Sequence, residues 1–416
     1  MDTNDTRLPA ATFARLPIFD RNRTLWGYEL VYMPAFENDT ALSVKKTILT
    51  ADVMSDISLA MDQVMDRGKQ IMVDFSWKNL ADNLPWALPP DRTTIKVRNV
   101  KTLPDSWVPV LNKLKKSGFQ LAVAWNRDDP ACQPLFERAD MICLNISGKS
   151  LPELSAICKD CADVDSAALA VRVDTQTTFD VCCQAGFSFF QGSFFKQPED
   201  VSIKKVFPGT VSRFKLLEAI EQNDPDFTDL AALIQADVAI SFRLLSYLNS
   251  ASFGFRRKIE SIKDAVTLLG WQNLKNWLRV ILLSEVSECP HASELIFLSA
   301  QRGKFLEQVG KDHDFWGFEP DSLFLLGMFS LLDALLNQPM NQVVKYLPLA
   351  DKLKGALCME SNNEYVPLLD LARWFEEARY AQIDDMISRL GLDRKKVNQA
   401  YGESIDWAGR LCELSS

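Results

Sequence analysis

Short apolar runs alternate with amphipathic stretches through the first 200 residues of the chain. In the opening run 11–34, apolar and polar residues alternate around a polar turn at Asp20–Arg23, which predicts a β-hairpin. Further strands are predicted near 70–76, 94–100, 120–125, 141–146, 169–173 and 187–191, and helices near 40–68, 107–117, 151–158 and 177–185. Strands that alternate with such helices indicate βα units and a parallel sheet, which closes into a barrel when enough units are present.

From about residue 200 onward, apolar residues recur at helical spacing. The segment 237–279 predicts helices around a tight basic loop. The apolar positions that share one face of its first helix are Val238, Phe242, Leu245 and Leu248. Ser261 is a suitable N-cap for the next helix because its hydroxyl can accept an orphan amide, and Gly270 is placed to end that helix. A longer helix from Trp271 carries a wide apolar stripe that must be buried against other helices.

Composition agrees with a folded chain of several domains. With 416 residues, of which 47% are hydrophobic, the chain has enough core-forming residues for about two or three domains. Its formal net charge of -9 argues against a general nucleic-acid binder, which needs a basic surface. Charges interrupt the apolar runs before the roughly 20 residues that span a bilayer, so no membrane insertion is expected. The opening MDTNDTRLPA has no apolar signal-peptide core, which favours a cytoplasmic location.

Cysteines and histidines give no pattern that is typical of a metal site. The chain has nine cysteines, an odd count that does not indicate a disulfide framework. Cys158 and Cys161 have CxxC spacing, but a zinc site needs further ligands. The chain has only two histidines, His291 and His313, which are far from that pair in sequence. We therefore expect buried free thiols, with no metal and no cofactor.

The helical half resembles a known family. The order LLSYLNSASF followed by SIKDAVTLLGWQNLKNWL is similar to the HDOD domain, a helical bundle related in fold to metal-dependent HD phosphohydrolases. The resemblance continues through Leu323–Leu357 and covers roughly residues 200–410. An active HD site needs several His and Asp ligands, whereas this chain offers one His-Asp dipeptide, His313 and Asp314. The resemblance therefore implies an HDOD domain without a metal site.

The first half resembles a second family. Its opening RLPIFDRNRTLWGYELVY and its closing CCQAGFSFFQGSFFKQP are similar to the first and last strands of the EAL domain, the barrel that hydrolyses cyclic di-GMP. Together the halves resemble the YuxH-type EAL/HDOD signalling proteins of bacteria. This resemblance implies an α/β plus all-α fold: a TIM-like EAL barrel domain over 1–200, followed by an all-helical HDOD bundle over 201–416.

The EAL resemblance also allows a check of site positions. Hydrolysis in that family uses a pair of divalent cations held by oxygen ligands at the carboxyl ends of barrel strands. Ligand chemistry is kept at Glu29, Asp74, Asp174 and Gln191. Family residues are lost at Met33, Lys96, Ala124, Trp125, Cys143 and Val171. Lys96 reverses the charge of a metal-binding Glu, and Ala124 and Trp125 replace an Asp pair, so the chain is expected not to be an enzyme.

We therefore expect a non-catalytic scaffold that contacts other signalling proteins in cyclic di-GMP-related control of motility, pili or biofilm formation. An alternative is a sensor that binds cyclic di-GMP without hydrolysis. Met33 stands where the family has a phosphate-contacting Arg, which disfavours cyclic di-GMP as a ligand. A further alternative is a phosphodiesterase with a rebuilt site, against which Ala124 and Trp125 argue. The sequence leaves open whether the chain forms a homodimer and which protein it contacts.

Overall fold

The computed structural model describes residues 12–33, 54, 68–97, 107–124, 133–198, 220–221, 270–284, 291–313, 317–347 and 349–413. Most of the predicted helix over 40–68 and all of the motif over 237–269 lie outside these residues. The chain forms two compact units, Met1–Gln197 with Asp370–Glu403 and Pro198–Leu369 with Ser404–Ser416. The expected domains, 1–200 and 201–416, stay a prediction, but the units differ from them because residues 370–403 group with the barrel.

A closed barrel of eight strands forms the centre of the first unit. In barrel order the strands are β1 (Thr12–Asp20), β2 (Leu25–Met33), β3 (Gln70–Phe75), β4 (Thr93–Val97), β5 (Gln120–Ala124), β6 (Met141–Asn145), β7 (Ala167–Val171) and β8 (Phe189–Gln191). β1 is antiparallel to β2 and β8, and the remaining neighbours are parallel. The predicted TIM-like barrel is thereby confirmed, and its antiparallel first strand follows from the hairpin.

Helices lie between the strands, and three of the described ones begin at capping residues. The helices are α1 (Trp77–Ala81), α2 (Trp107–Lys116), α3 (Gln133–Phe136), α4 (Leu151–Asp163) and α5 (Gln176–Ala185). Before α4, the Ser150 amide donates to the Glu153 carboxylate at 2.8 Å in a capping box. Before α5, the Thr175 hydroxyl accepts from the Thr178 amide at 3.1 Å. Gly186, whose φ is 113°, ends α5 in the left-handed conformation that favours glycine.

Apolar side chains fill the interior of the barrel. One buried cluster consists of Ile18, Met72, Ala122, Met141, Cys143 and Leu169. Because side chains alternate between the faces of a strand, residues two positions apart point the same way. Asp74 therefore follows Met72 on the inner face of β3, and Val171 follows Leu169 on that of β7. The strand ends thus direct their side chains inward above an apolar floor.

The second unit is helical in its described part, as expected for the HDOD half. Its helices are α6 (Trp271–Ser284), α7 (Ala292–Asp312), α8 (Pro320–Phe329), α9 (Leu332–Leu336), α10 (Met340–Val343) and α11 (Asp351–Leu357). The chain ends with α12 (Val366–Glu376), α13 (Tyr380–Leu390) and α14 (Arg394–Glu413), of which residues 370–403 belong to the first unit. α6 is the predicted longer helix, and Gly270 before it has the positive φ, 76°, of a helix-ending glycine. No helix in the described ranges is long and apolar enough to cross a membrane.

A buried ionic network anchors α6. The guanidinium of Arg279 is fully buried and donates to both carboxylate oxygens of Glu221, at 2.7 and 2.8 Å. It also donates to the Asn276 side-chain oxygen at 2.9 Å, and the Lys275 ammonium lies 3.0 Å from Glu221. Because a buried charge is costly unless it is paired, this network ties α6 to Glu221.

Two glycines set the distance between α7 and α8. A Cβ at Gly327 of α8 would lie 2.4 Å from the carbonyl carbon of Arg302 on α7. A Cβ at Gly303 of α7 would lie 2.9 Å from the carbonyl oxygen of Phe324. Real Cβ atoms do not approach neighbours so closely, so the helices pack backbone against backbone here.

Replacing Gly327 with Ala should destabilise the second unit, because the added methyl group forces α7 and α8 apart. Overpacking of a core costs about 1–3 kcal/mol. Urea unfolding followed by circular dichroism measures this loss. Asn341→Ala, at an exposed position of α10, is the control and should change the free energy of unfolding by less than about 0.5 kcal/mol. Equal stability of the two variants would contradict the tight packing at Gly327.

Candidate functional site

Polar side chains from β2, β4 and β8 meet inside the barrel. The Lys96 ammonium donates to Oε1 of Glu29 at 2.6 Å, and the Gln191 amide donates to Oε2 of the same carboxylate at 2.9 Å. Glu29 is buried, with 6% of its surface exposed. Both oxygens of this carboxylate therefore have a donor within the protein. We refer to these residues as the Glu29–Lys96–Gln191 group.

Asp74 and Cys143 lie beside this group. Asp74 is opposite Lys96 in the register of β3 and β4, and its charge acts on the Lys96 ammonium. Burial raises the pKa of the Cys143 thiol to about 12, although the charge of Lys96 opposes the rise. Cys143 is therefore a neutral thiol at physiological pH, and the local charges are those of Lys96 and the carboxylates.

The ion pair sets the titration of its members. Burial acts to raise the pKa of Glu29, but the charge of Lys96 and the hydrogen bonds from Lys96 and Gln191 outweigh it, so that pKa lies below its ordinary value. Burial acts to lower the pKa of Lys96, but the nearby charges, Glu29 foremost, raise it above its ordinary value. Both groups are thus charged across the physiological pH range.

The other predicted site residues are placed differently. Oδ1 of Asp174, just after β7, accepts from the amide and hydroxyl of Ser193 at 3.4 and 3.2 Å. Asp174 lines a cavity that Gln191 also lines. Val171 packs against the apolar barrel cluster. Of the remaining positions, Ala124 ends β5, while Trp125 and the Met33 side chain lie outside the description.

The described residues do not fit a pair of divalent cations in this arrangement. Such cations need several oxygen ligands each, and the described ranges contain no group of three or more His, Cys, Asp or Glu side chains arranged to hold a metal ion. At Glu29, the Lys96 ammonium takes the place beside the carboxylate that a cation would need.

The predicted thiols and histidines have ordinary structural surroundings. Cys158 and Cys161 on α4 and Cys182 on α5 are buried free thiols. Burial raises their pKa values to about 11, 12 and 11, whereas metal binding requires thiolates. Nδ1 of His313 lies 3.0 Å from the Val309 carbonyl oxygen, and its sequence neighbour Asp314 lies outside the described residues.

Sequence reasoning missed the Glu29–Lys96 pair itself. In the sequence analysis, Lys96 was treated as the loss of a metal ligand. Its position and that of Glu29, both on the inner face of nearby barrel strands, could have indicated an ion pair. Sequence reasoning also missed Glu376, Glu377 and Arg379, which line the cavity beside Gln191. These residues come from the segment that had been assigned to the helical half.

Comparisons with known proteins agree with the fold. Residues 207–330 match the HDOD domain family. Over 409 residues the chain is 28% identical to YuxH of Bacillus subtilis (strain 168), covering 96% of this chain and 98% of that protein. It is 29% identical over 409 residues to the cyclic di-GMP phosphodiesterase CdgJ of Vibrio cholerae, covering 96% of this chain and 93% of that protein.

One solved structure with which the chain shares similarity is BlrP1 of Klebsiella pneumoniae in complex with manganese and cyclic di-GMP. The two are 18% identical, and the match covers 46% of this chain and 56% of that chain with a TM-score of 0.38. A similarity this low carries no argument about the site.

The expectation that the chain is not an enzyme is contradicted by its whole-length similarity to CdgJ, a phosphodiesterase. The error arose because substitutions at single motif positions were treated as decisive for activity. The expectation against cyclic di-GMP rested on Met33, whose side chain lies outside the description, and it is not supported.

Replacing Lys96 with Met should leave the Glu29 carboxylate buried in the barrel without its positively charged partner. Removing one partner of a buried pair costs about 3–5 kcal/mol. In the wild type the folded pKa of Glu29 lies below its ordinary value, so its contribution to stability is present above that ordinary value and is lost as the pH falls through the folded pKa. In K96M the folded pKa rises, so the contribution is present at low pH and lost as the pH rises.

The stability deficit of K96M should therefore shrink between about pH 7 and pH 4, as measured by urea unfolding at each pH. Lys115→Met is the control, because Lys115 pairs with Asp140 at 2.8 Å on the surface and its loss should cost less than about 1 kcal/mol. A K96M deficit that does not change with pH would contradict a buried, charged Glu29.

The kinship of the chain follows from its parts. A closed barrel precedes a region that matches the HDOD domain, and the chain is related over nearly its whole length to YuxH and CdgJ. The predicted kinship with YuxH-type proteins is thereby confirmed. The chain thus joins a closed TIM-like barrel to a region that matches the HDOD domain family, and it resembles YuxH and CdgJ over nearly its whole length.

Proposed function

We propose that this chain acts in cyclic di-GMP signalling. Its barrel engages the dinucleotide at the carboxyl ends of the strands, and its helical half passes the signal on through contacts with other signalling proteins. The observation that carries the proposal is the buried Glu29–Lys96–Gln191 group in the barrel. The whole-length similarity to CdgJ supports the choice of ligand.

The charges of the group suggest how a cyclic dinucleotide would be recognised. Lys96 is matched by Glu29 and lies near Asp74, so the site carries more negative than positive charge. Carboxylates accept hydrogen bonds and therefore suit the N–H donors of a guanine edge. The phosphodiester anions need positive charge, which Lys96 supplies if it turns from Glu29 or which an added cation supplies.

Hydrolysis of cyclic di-GMP is a second candidate function, and the similarity to CdgJ favours it. A divalent cation would have to displace the Lys96 ammonium from Glu29. Glutamate in place of Lys96 would remove that competitor and add a carboxylate ligand. The Lys96→Glu variant therefore separates recognition from hydrolysis.

Calorimetric titration of the full-length protein with cyclic di-GMP tests the first proposal, with Mg²⁺ or Mn²⁺ present in turn. Wild type should bind, and Gln191→Ala should weaken binding about tenfold, as expected for one hydrogen bond to a charged group. Lys115→Met should bind as wild type does. Absence of binding with either cation would contradict the proposal.

Chromatography of the nucleotide after incubation measures hydrolysis in the same samples. We expect Lys96→Glu to increase product formation in the presence of Mn²⁺, because an acidic ligand then replaces the ammonium. Product formed by wild type would establish the second candidate. An unchanged rate in Lys96→Glu would contradict the inference that Lys96 competes with a cation.

Protein contacts of the second unit can be tested at an exposed aromatic residue. Tyr346 is 51% exposed, and aromatic residues are enriched at protein interfaces. A photo-crosslinking amino acid at position 346 should form an adduct with a partner protein in cells, in a yield that changes with the cyclic di-GMP level. The same group at the exposed position 352 is the control. Equal or absent adducts at both positions would contradict a contact surface around Tyr346.

A further inference from the structure

A segment far from the barrel in sequence packs against it within the first unit. Residues 370–403, which we call the C-terminal strap, group with the barrel. The Tyr380 hydroxyl of the strap donates to the carbonyl oxygen of Tyr32 in β2 at 2.8 Å. The strap is also ordered internally, since the rings of Phe375 and Tyr401 lie 4.8 Å apart. It therefore forms a structured part of the barrel unit.

A buried ion pair fastens the strap just after β8. The Lys196 ammonium donates to the Glu376 carboxylate at 2.6 Å, and the two side chains are 12% and 2% exposed. Lys196 belongs to the short 3-10 helix Phe194–Lys196, which begins shortly after the end of β8 at Gln191. Such a pair holds while both partners are present, because a single buried charge left behind is strongly unfavourable.

Residues of the strap and of the barrel mouth line the same cavity. Its barrel side includes Leu16, Asp174 and Gln191, and its strap side consists of Glu376, Glu377 and Arg379. The cavity volume is about 110 Å³, below the roughly 300–1,000 Å³ of pockets that hold drug-sized ligands. Because Gln191 also donates to Glu29, the cavity adjoins the Glu29–Lys96–Gln191 group.

We propose that the C-terminal strap is an autoinhibitory lid over the barrel mouth. A cyclic dinucleotide reaches the Glu29–Lys96–Gln191 group only after Glu376 separates from Lys196 and the strap moves away. The identity of the ligand rests on the proposed function, whereas the lid rests on the strap contacts. If the open state is a minor one, its fraction reduces the apparent affinity, so variants that favour opening raise that affinity.

Hydrogen exchange of the full-length protein, followed by mass spectrometry, reports on the lid without any ligand. Lys196→Met and Glu376→Gln should each speed exchange of strap amides in 376–390 about tenfold or more, because a buried pair is broken. The double variant K196M/E376L should exchange as wild type does, since it leaves no buried charge. Lys115→Met is the control for loss of a surface lysine. Unchanged exchange in both single variants would overturn the lid.

Calorimetry with cyclic di-GMP then links the lid to the site. In each single variant, the affinity for cyclic di-GMP should increase by about the same factor as the rate of hydrogen exchange in the strap. The double variant should bind cyclic di-GMP with wild-type affinity. Faster exchange with wild-type affinity would overturn the autoinhibitory role. If the single variants exchange faster but neither they nor wild type bind cyclic di-GMP, the strap is still a cover that opens. That result would contradict the proposed function instead.

Discussion

The buried ion pair between Lys96 and Glu29 is the interaction on which the barrel interior depends. Glu29 is surrounded by apolar strands, so its carboxylate can stay charged only because Lys96 and Gln191 contact its two oxygens. The pair joins β2 to β4, and Gln191 joins the same carboxylate to β8. The Glu29–Lys96–Gln191 group therefore connects β4 and β8, which lie on opposite sides of the hairpin, through β2. It also sets the charge of the site.

Buried ion pairs recur elsewhere in the chain, but they differ in rigidity. Arg279 contacts Glu221 through two donors and Asn276 through a third, which leaves a planar guanidinium little freedom. Lys196 reaches Glu376 as a point charge on a flexible stem, through a contact of 2.6 Å. The first arrangement suits a permanent anchor of a helix, whereas the second suits a contact that opens and closes.

Local sequence patterns predicted the elements better than the contacts between them. β3, β5 and β6 begin where predicted, because each is an apolar run with polar residues at its ends. β7 starts two residues earlier than predicted, since the uniform run AALAV offers no polar boundary. Glu29 and Lys96 are 67 residues apart, and Lys196 and Glu376 are 180 apart. Only closure of the barrel and return of the chain bring these pairs together, and no local period encodes that.

The Lys96–Glu29 and Lys196–Glu376 pairs of the first unit are connected through Gln191 and the cavity that it lines. Gln191 lines the cavity beside the strap and also donates to Glu29, so it connects the cavity to the buried carboxylate. Water that enters an open cavity would raise the local dielectric constant and weaken the attraction between Lys96 and Glu29. Lys96 would then turn more readily toward a phosphodiester. Opening of the strap thus admits the ligand and also frees the Lys96 ammonium to bind a phosphodiester of that ligand.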